Sequence, residues 1–256
     1  MPSSKRSARA PDSPQRGSEP VNEPLVLLPG MMCDARLFTP QIEAFSADRA
    51  IMVAPVTKGE RIEEIASDVL QAAPAKFALA GLSMGGIVAM EVLRRAPDRV
   101  TRVALLDTNP LSETPQVAAA REPQIIGVRS GRLQEVMRDE MKPNYLAPGP
   151  RRVDVLNTVM AMAMTLGPEV FVRQSRALQR RRDQQRTLRG IKIPTLVMCG
   201  AYDALCPVKR HEFMAELIPY AQLYVVPEAG HLPTLEQPDE TNEVLARWLK
   251  QPLVLQ

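Results

Sequence analysis

The string Gly81-Leu82-Ser83-Met84-Gly85-Gly86 follows a short apolar run and opens a segment of helical period. A serine in such a strand-to-helix turn is a candidate nucleophile. The turn lifts its hydroxyl clear of the sheet and sets it at a helix N-terminus, where amides and macrodipole favour developing negative charge. Gly81 and Gly85 serve the turn itself, because side chains two residues either side of the serine would collide there. A serine hydroxyl is a weak nucleophile, so a base must lie within hydrogen-bond reach and an acid must orient that base. The chain has only two histidines. His231, in Gly230-His231-Leu232-Pro233 after the last expected strand, is read as the base. His211, flanked by Lys209, Arg210 and Glu212, is read as part of a solvated helix face. For the acid, Asp203 follows the apolar run 195–198 and is preferred. Asp107, which ends Leu105-Leu106-Asp107, is its rival and is read as a loop anchor.

Three residues so far apart need a frame that gathers them at one edge. Short apolar runs at 25–28, 50–54, 77–80, 100–106, 195–198 and 223–226 alternate with helical segments, the pattern of an α/β fold with a mostly parallel sheet of about six strands flanked by helices. The helix expected over 84–96 is apolar apart from a strip at Glu91, Arg94 and Arg95, so most of it must be buried. A final amphipathic helix over 241–250 turns Val244, Leu245, Trp248 and Leu249 inward. Between 109 and 190 no strand-like run occurs. The expected organisation is a disordered tail over 1–23, a core formed by 24–109 and 191–256, and a helical cap inserted at 110–190 over the carboxyl ends of the strands.

Composition narrows the function classes. The formal net charge is +3, with 45% hydrophobic and 24% charged residues, which is no nucleic-acid footprint. Cys33, Cys199 and Cys206 show no metal-ligand spacing and no even count for a disulfide framework, so a reducing compartment and buried fillers are expected. No run of about 18 apolar residues is apparent and the first twenty lack a secretory apolar segment, so a soluble, cytoplasmic protein without a membrane partner is expected. An Arg-rich stretch from Arg173 to Arg189 is read as a solvated basic face, with attraction of an acidic or phosphorylated substrate as the sharper alternative.

The combined pattern resembles the α/β-hydrolase superfamily. The resemblance rests on Leu28-Pro29-Gly30 ending a strand, the 81–86 turn, the segment from Pro194 to Asp203, and Gly230-His231 followed by Glu236-Gln237-Pro238. It runs from about Pro24 to Trp248 and is similar to single-domain bacterial serine hydrolases, including carboxylesterases, enol-lactonases, perhydrolases and carbon-carbon bond hydrolases. It implies an oxyanion hole formed by the backbone amides of Met31, just after Gly30, and Met84. Many relatives have His-Gly where this chain has Pro29-Gly30, and many begin with an antiparallel hairpin for which no run exists before Leu25.

The expected activity is covalent acyl transfer by Ser83, His231 and Asp203 on a small carboxylic ester, with no metal and no organic cofactor. Lactones, thioesters or carbon-carbon bonds are alternatives for the same three groups. A ligand-binding or sensing protein that keeps the fold without turnover is the alternative of another class. Met160, Met164 and Leu232 are placed at the substrate, although a methionine stripe on a helix serves packing equally well.

Overall fold

Strands and helices alternate from the first described element, and the alternation sets the sheet. The computed structural model describes residues 22–141 and 145–253. Six strands, β1 (Leu25–Leu28), β2 (Ile51–Val53), β3 (Phe77–Leu82), β4 (Val100–Leu106), β5 (Thr195–Gly200) and β6 (Ala221–Val226), form one sheet in the order β2-β1-β3-β4-β5-β6. Every neighbouring pair is parallel. The helices are α1 (Thr39–Phe45), α2 (Ile62–Ala72), α3 (Met84–Arg95), α4 (Pro115–Arg129), α5 (Leu133–Glu135), α6 (Arg152–Gln179), α7 (Gln185–Arg189), α8 (Val208–Leu217), α9 (Pro233–Glu236) and α10 (Pro238–Leu249). Among the described residues no hairpin precedes β1.

Side chains alternate across a strand, and both faces of this sheet are apolar. Leu25, Leu27, Ala80, Leu82 and Leu106 enter one core with Phe38, Phe171 and Trp248. Val26, Leu28, Phe77, Leu79 and Leu105 enter the other with residues of α2 and α3. Fully burying a Leu or Phe contributes roughly 1.5–3 kcal/mol, so a near-continuous apolar strand is stable only when helices cover both sides. The expected inward set of α10, Val244, Leu245, Trp248 and Leu249, is buried, and the Trp248 indole donates to the Pro194 carbonyl at 3.3 Å.

α4 to α7 lie between β4 and β5 along the chain. α6 corrects one sequence expectation, because by length and composition it is apolar enough to cross a membrane. It is not continuous: Gly167 has φ 80°, followed by Pro168, and the chain breaks direction there. Val155, Val159, Met162 and Phe171 bury its apolar face in the protein. In the Arg-rich stretch Arg180, Arg182, Arg186 and Arg189 are exposed, as a solvated face requires, but several of its charges are paired. Arg176 pairs with Glu122, Arg180 with Glu60 and Arg182 with Glu63, while Arg173 donates to the Thr57 carbonyl. Glu91, read as part of a polar strip, is fully buried and held by Arg94 and Gln184. Most of the expected tail lies outside the described residues; Glu23, at its end, pairs with the buried Arg102.

Candidate active site

Ser83 sits between β3 and α3 with φ 56° and ψ −116°, a left-handed conformation that costs a non-glycine residue of order 1–3 kcal/mol. The glycines around it are required by close approach: a Cβ on Gly81 would overlap the Gly85 carbonyl, and one on Gly85 the Leu28 carbonyl. Strain recurs at the neighbouring turns. Met32 after β1 (φ 56°) and Asp107 after β4 (φ 45°) are also left-handed, so three of the four such non-glycine residues among those described lie at carboxyl ends of adjacent strands.

The turns after β3, β5 and β6 bring Ser83, Asp203 and His231 into contact. His231 Nε2 lies 2.9 Å from Ser83 Oγ, and His231 Nδ1 lies 2.8 Å from Asp203 Oδ2. A carboxylate only accepts, so Nδ1 carries the imidazole proton and Nε2 presents its lone pair to the hydroxyl. Asp203 Oδ1 accepts from the amides of Leu205 (2.8 Å) and Cys206 (2.9 Å). Burial alone would raise the Asp203 pKa, but the His231 contact and these hydrogen bonds outweigh it and hold the carboxyl below its ordinary value.

Asp107 is not in contact with the histidine ring as an acid partner; it stands behind Asp203. It is fully buried, its Oδ1 accepts from the Gly200 amide at 2.9 Å, and its Oδ2 meets no donor. Its side chain faces that of Asp203, and burying two carboxyls side by side favours a proton on one of them. Burial, and then the Asp203 charge, push Asp107 well above the ordinary carboxyl range, so Asp107 carries that proton.

His211 departs furthest from expectation. It is fully buried, not solvated: its Nε2 accepts from the Thr108 amide at 3.0 Å, and its Nδ1 faces the Pro207 carbonyl at 3.3 Å. Burial lowers its pKa to about 4, so the ring is neutral. Thr108 in turn donates through Oγ1 to the Ser83 carbonyl at 2.7 Å. The 107–108 turn thus ties the serine, the aspartate loop and His211 together.

Two positioning residues escaped sequence reasoning. Glu236 accepts from the amides of Gly230, Leu232 and Ala147, each at 2.8–2.9 Å, and so fixes the loop on either side of His231. Gln174, fully buried on α6, accepts from the Met32 amide at 2.9 Å and donates to the Val56 carbonyl at 3.0 Å, holding the loop that carries Met31. Glu236-Gln237-Pro238 offered a hint of the first, whereas nothing local marked the second.

Met84 begins α3, so its amide has no intrahelical acceptor. The Met31 amide donates to no acceptor among the described residues, and Gly30 packs beside Ser83. Ser83, His231, Met31 and Met84 line a cavity of about 430 Å³, together with Arg121 and Arg181. Met160, Met164 and Leu232 do not line it. Leu232 is buried in the core, Met160 packs against that core and Met164 is exposed, because α6 turns its methionines toward its own packing interface or toward solvent. One oxygen, sulfur and nitrogen of Asp203, Cys206 and His231 lie within 4.8 Å. Both Asp203 oxygens already accept hydrogen bonds, and burial holds the Cys206 thiol protonated, so the group reads as a hydrogen-bonded cluster. Cys33 is likewise buried, its thiol pushed up to about 12.

A parallel sheet with a left-handed serine at a strand-helix turn, facing a histidine and an aspartate, defines a recognisable class. The chain belongs to the alpha/beta hydrolase family, whose family model matches residues 10–244, and it is a hydrolase. Curated relatives include a pimeloyl-[acyl-carrier protein] methyl ester esterase of Vibrio parahaemolyticus, 24% identical over 84% of this chain and 90% of that protein. One of the same name from Aromatoleum aromaticum is 27% identical over 72% of this chain and 78% of that protein. Among solved structures, a malate-bound thermophilic esterase from Thermogutta terrifontis superposes with a TM-score of 0.82 at 27% identity, covering 89% of each chain. The enol-lactonase of Burkholderia xenovorans shares the fold with a TM-score of 0.79 at 24% identity, over 94% of this chain and 95% of that one.

Proposed function

We propose that the chain is a serine hydrolase that acts by covalent acyl transfer on small carboxylic esters, with Ser83 as nucleophile, His231 as base and Asp203 as the orienting acid. The observation that carries this reading is the continuous hydrogen-bond chain from Ser83 Oγ through the His231 ring to Asp203, at 2.9 and 2.8 Å. His231 Nε2 takes the serine proton as Oγ attacks the ester carbonyl, and the imidazolium is stabilised by the buried carboxylate. The amides of Met31 and Met84 receive the developing oxyanion, an arrangement commonly worth a few kcal/mol of barrier lowering. His231 then returns the proton to the departing alcohol, leaving an acyl group on Ser83, and the same imidazole activates the water that releases the acid.

Esters are favoured over lactones, thioesters and carbon-carbon bonds by the names of the curated relatives and of the thermophilic esterase. The test is labelling with a serine-directed fluorophosphonate, alongside a panel of p-nitrophenyl esters of graded chain length. Labelling that disappears in Ser83→Ala, with ester turnover lost in parallel, supports the reading. An unlabelled wild-type chain that turns over none of the panel would leave a binding or sensing role in its place.

A further inference from the structure

We propose that the cavity over Ser83 takes substrates that carry a carboxylate in addition to the scissile ester, and that Arg121 and Arg181 bind this second group. The inference rests on the reading of Ser83 as the nucleophile and names the substrate class of that site.

Arg121 on α4 and Arg181, just past the end of α6, line the same cavity as Ser83 and His231. Between them stands Glu113, whose side chain is only 1% exposed. Arg121 donates to it from Nε (3.0 and 3.1 Å) and Nη2 (2.6 Å), and Arg181 Nη1 lies 3.5 Å from it. Two guanidiniums therefore share one carboxylate. The other titratable groups of the cavity wall do not restore the balance. Burial pushes the Cys206 thiol and the Tyr145 phenol upward, so both are neutral, and Asp203 does not line the cavity. The wall keeps one positive charge in excess.

Donor geometry agrees with the charge. Arg121 Nη1 reaches only the Met31 thioether at 3.9 Å, a weak acceptor. Arg181 spends Nε on the Leu111 carbonyl at 2.9 Å, and no described residue supplies an acceptor for its Nη2. A guanidinium 10% exposed with an unspent edge is costly unless an anion meets it, and planar carboxylates match that edge. One such arginine would suffice to hold Glu113; the second makes the wall an anion site. A single uncompensated charge matches a monocarboxylate better than a phosphate, and about 430 Å³ admits a small half-ester. Arg121 lies outside the Arg-rich stretch that drew attention in the sequence, and within that stretch only Arg181 lines this cavity.

The experiment compares monomethyl adipate with dimethyl adipate and methyl hexanoate as substrates of the full chain, followed by pH-stat. The half-ester is expected to show kcat/KM about tenfold or more above either neutral ester, as for a hydrogen-bonded ion pair. Arg181→Met and Arg121→Met should bring that ratio toward one; Arg181→Gln, which also removes the charge, serves where the methionine variant does not fold. Calorimetric binding to Ser83→Ala, which needs no turnover, should show the half-ester binding about tenfold tighter than the diester. A ratio of one or below in both measurements overturns the anion site. A wild-type chain that fluorophosphonate does not label overturns the nucleophile instead, and the binding measurement still decides the role of the arginines.

Discussion

Asp107 stands directly behind Asp203, with one of its oxygens on the Gly200 amide and the other facing the Asp203 carboxyl without a donor. Two buried carboxyls in contact share a proton, and here Asp107 keeps it while Asp203 stays ionised toward His231. The pair therefore divides the labour: one carboxyl orients the His231 ring, the other orients the first carboxyl.

Asp107→Asn keeps a donor toward Asp203 and an acceptor for Gly200, so kcat on a p-nitrophenyl ester should stay within about threefold of wild type. Asp107→Ala removes both, and kcat should fall by about 10- to 100-fold, a charge-assisted hydrogen bond being worth roughly 1.5–3 kcal/mol, with little change in KM. Stability gives a separate reading. A carboxyl raised on folding contributes most below its unfolded pKa and loses that contribution as pH rises toward its folded value. Asp107→Asn removes this loss, so its melting temperature relative to wild type should increase from pH 5 to pH 9, read by calorimetry.

His211 makes the opposite contribution. Its pKa falls to about 4 in the folded chain, so the unfolded chain binds the extra proton. The neutral ring's contribution is complete above about pH 6.5 and is lost as pH drops toward 4, with a size on the order of 3 kcal/mol. His211→Ala should flatten the stability profile across that window in urea titrations. It should also lower stability at pH 8 by about 1–3 kcal/mol, because the Thr108 amide loses its acceptor.

Glu236→Ala leaves three amides around His231 unsatisfied. Each orphaned amide costs about 1–3 kcal/mol before the loop relaxes. Hydrogen exchange at Gly230, Leu232 and Ala147 should accelerate first, and kcat should fall by about tenfold or more as the imidazole loses its fixed position.

Gln174→Leu is nearly the same size but cannot bridge the Met32 amide and the Val56 carbonyl. The loop that presents the Met31 amide should loosen. The expected result is a kcat lowered by about tenfold with a smaller change in KM, as for a donor that acts on the transition state.

Local signals made much of this readable in the chain itself. The Gly81, Ser83 and Gly85 spacing announces its turn because the constraint is steric and contained within five residues. Two histidines left few choices for the ring that faces Ser83, and strand ends pointed to Asp203. What escaped depends on distant partners. His211 looks solvated beside Lys209 and Arg210, yet Thr108, 103 residues away, claims it. The methionines of α6 carry the right spacing for a pocket, but period alone does not say which way a helix is rolled. Arg121 has no charged run around it; only the fold sets it opposite Arg181.

The left-handed backbone at Met32, Ser83 and Asp107 concentrates strain at one rim of the sheet. A non-glycine residue held in this way costs of order 1–3 kcal/mol, which the burial of Met32 and the Gly200 amide on Asp107 help to offset.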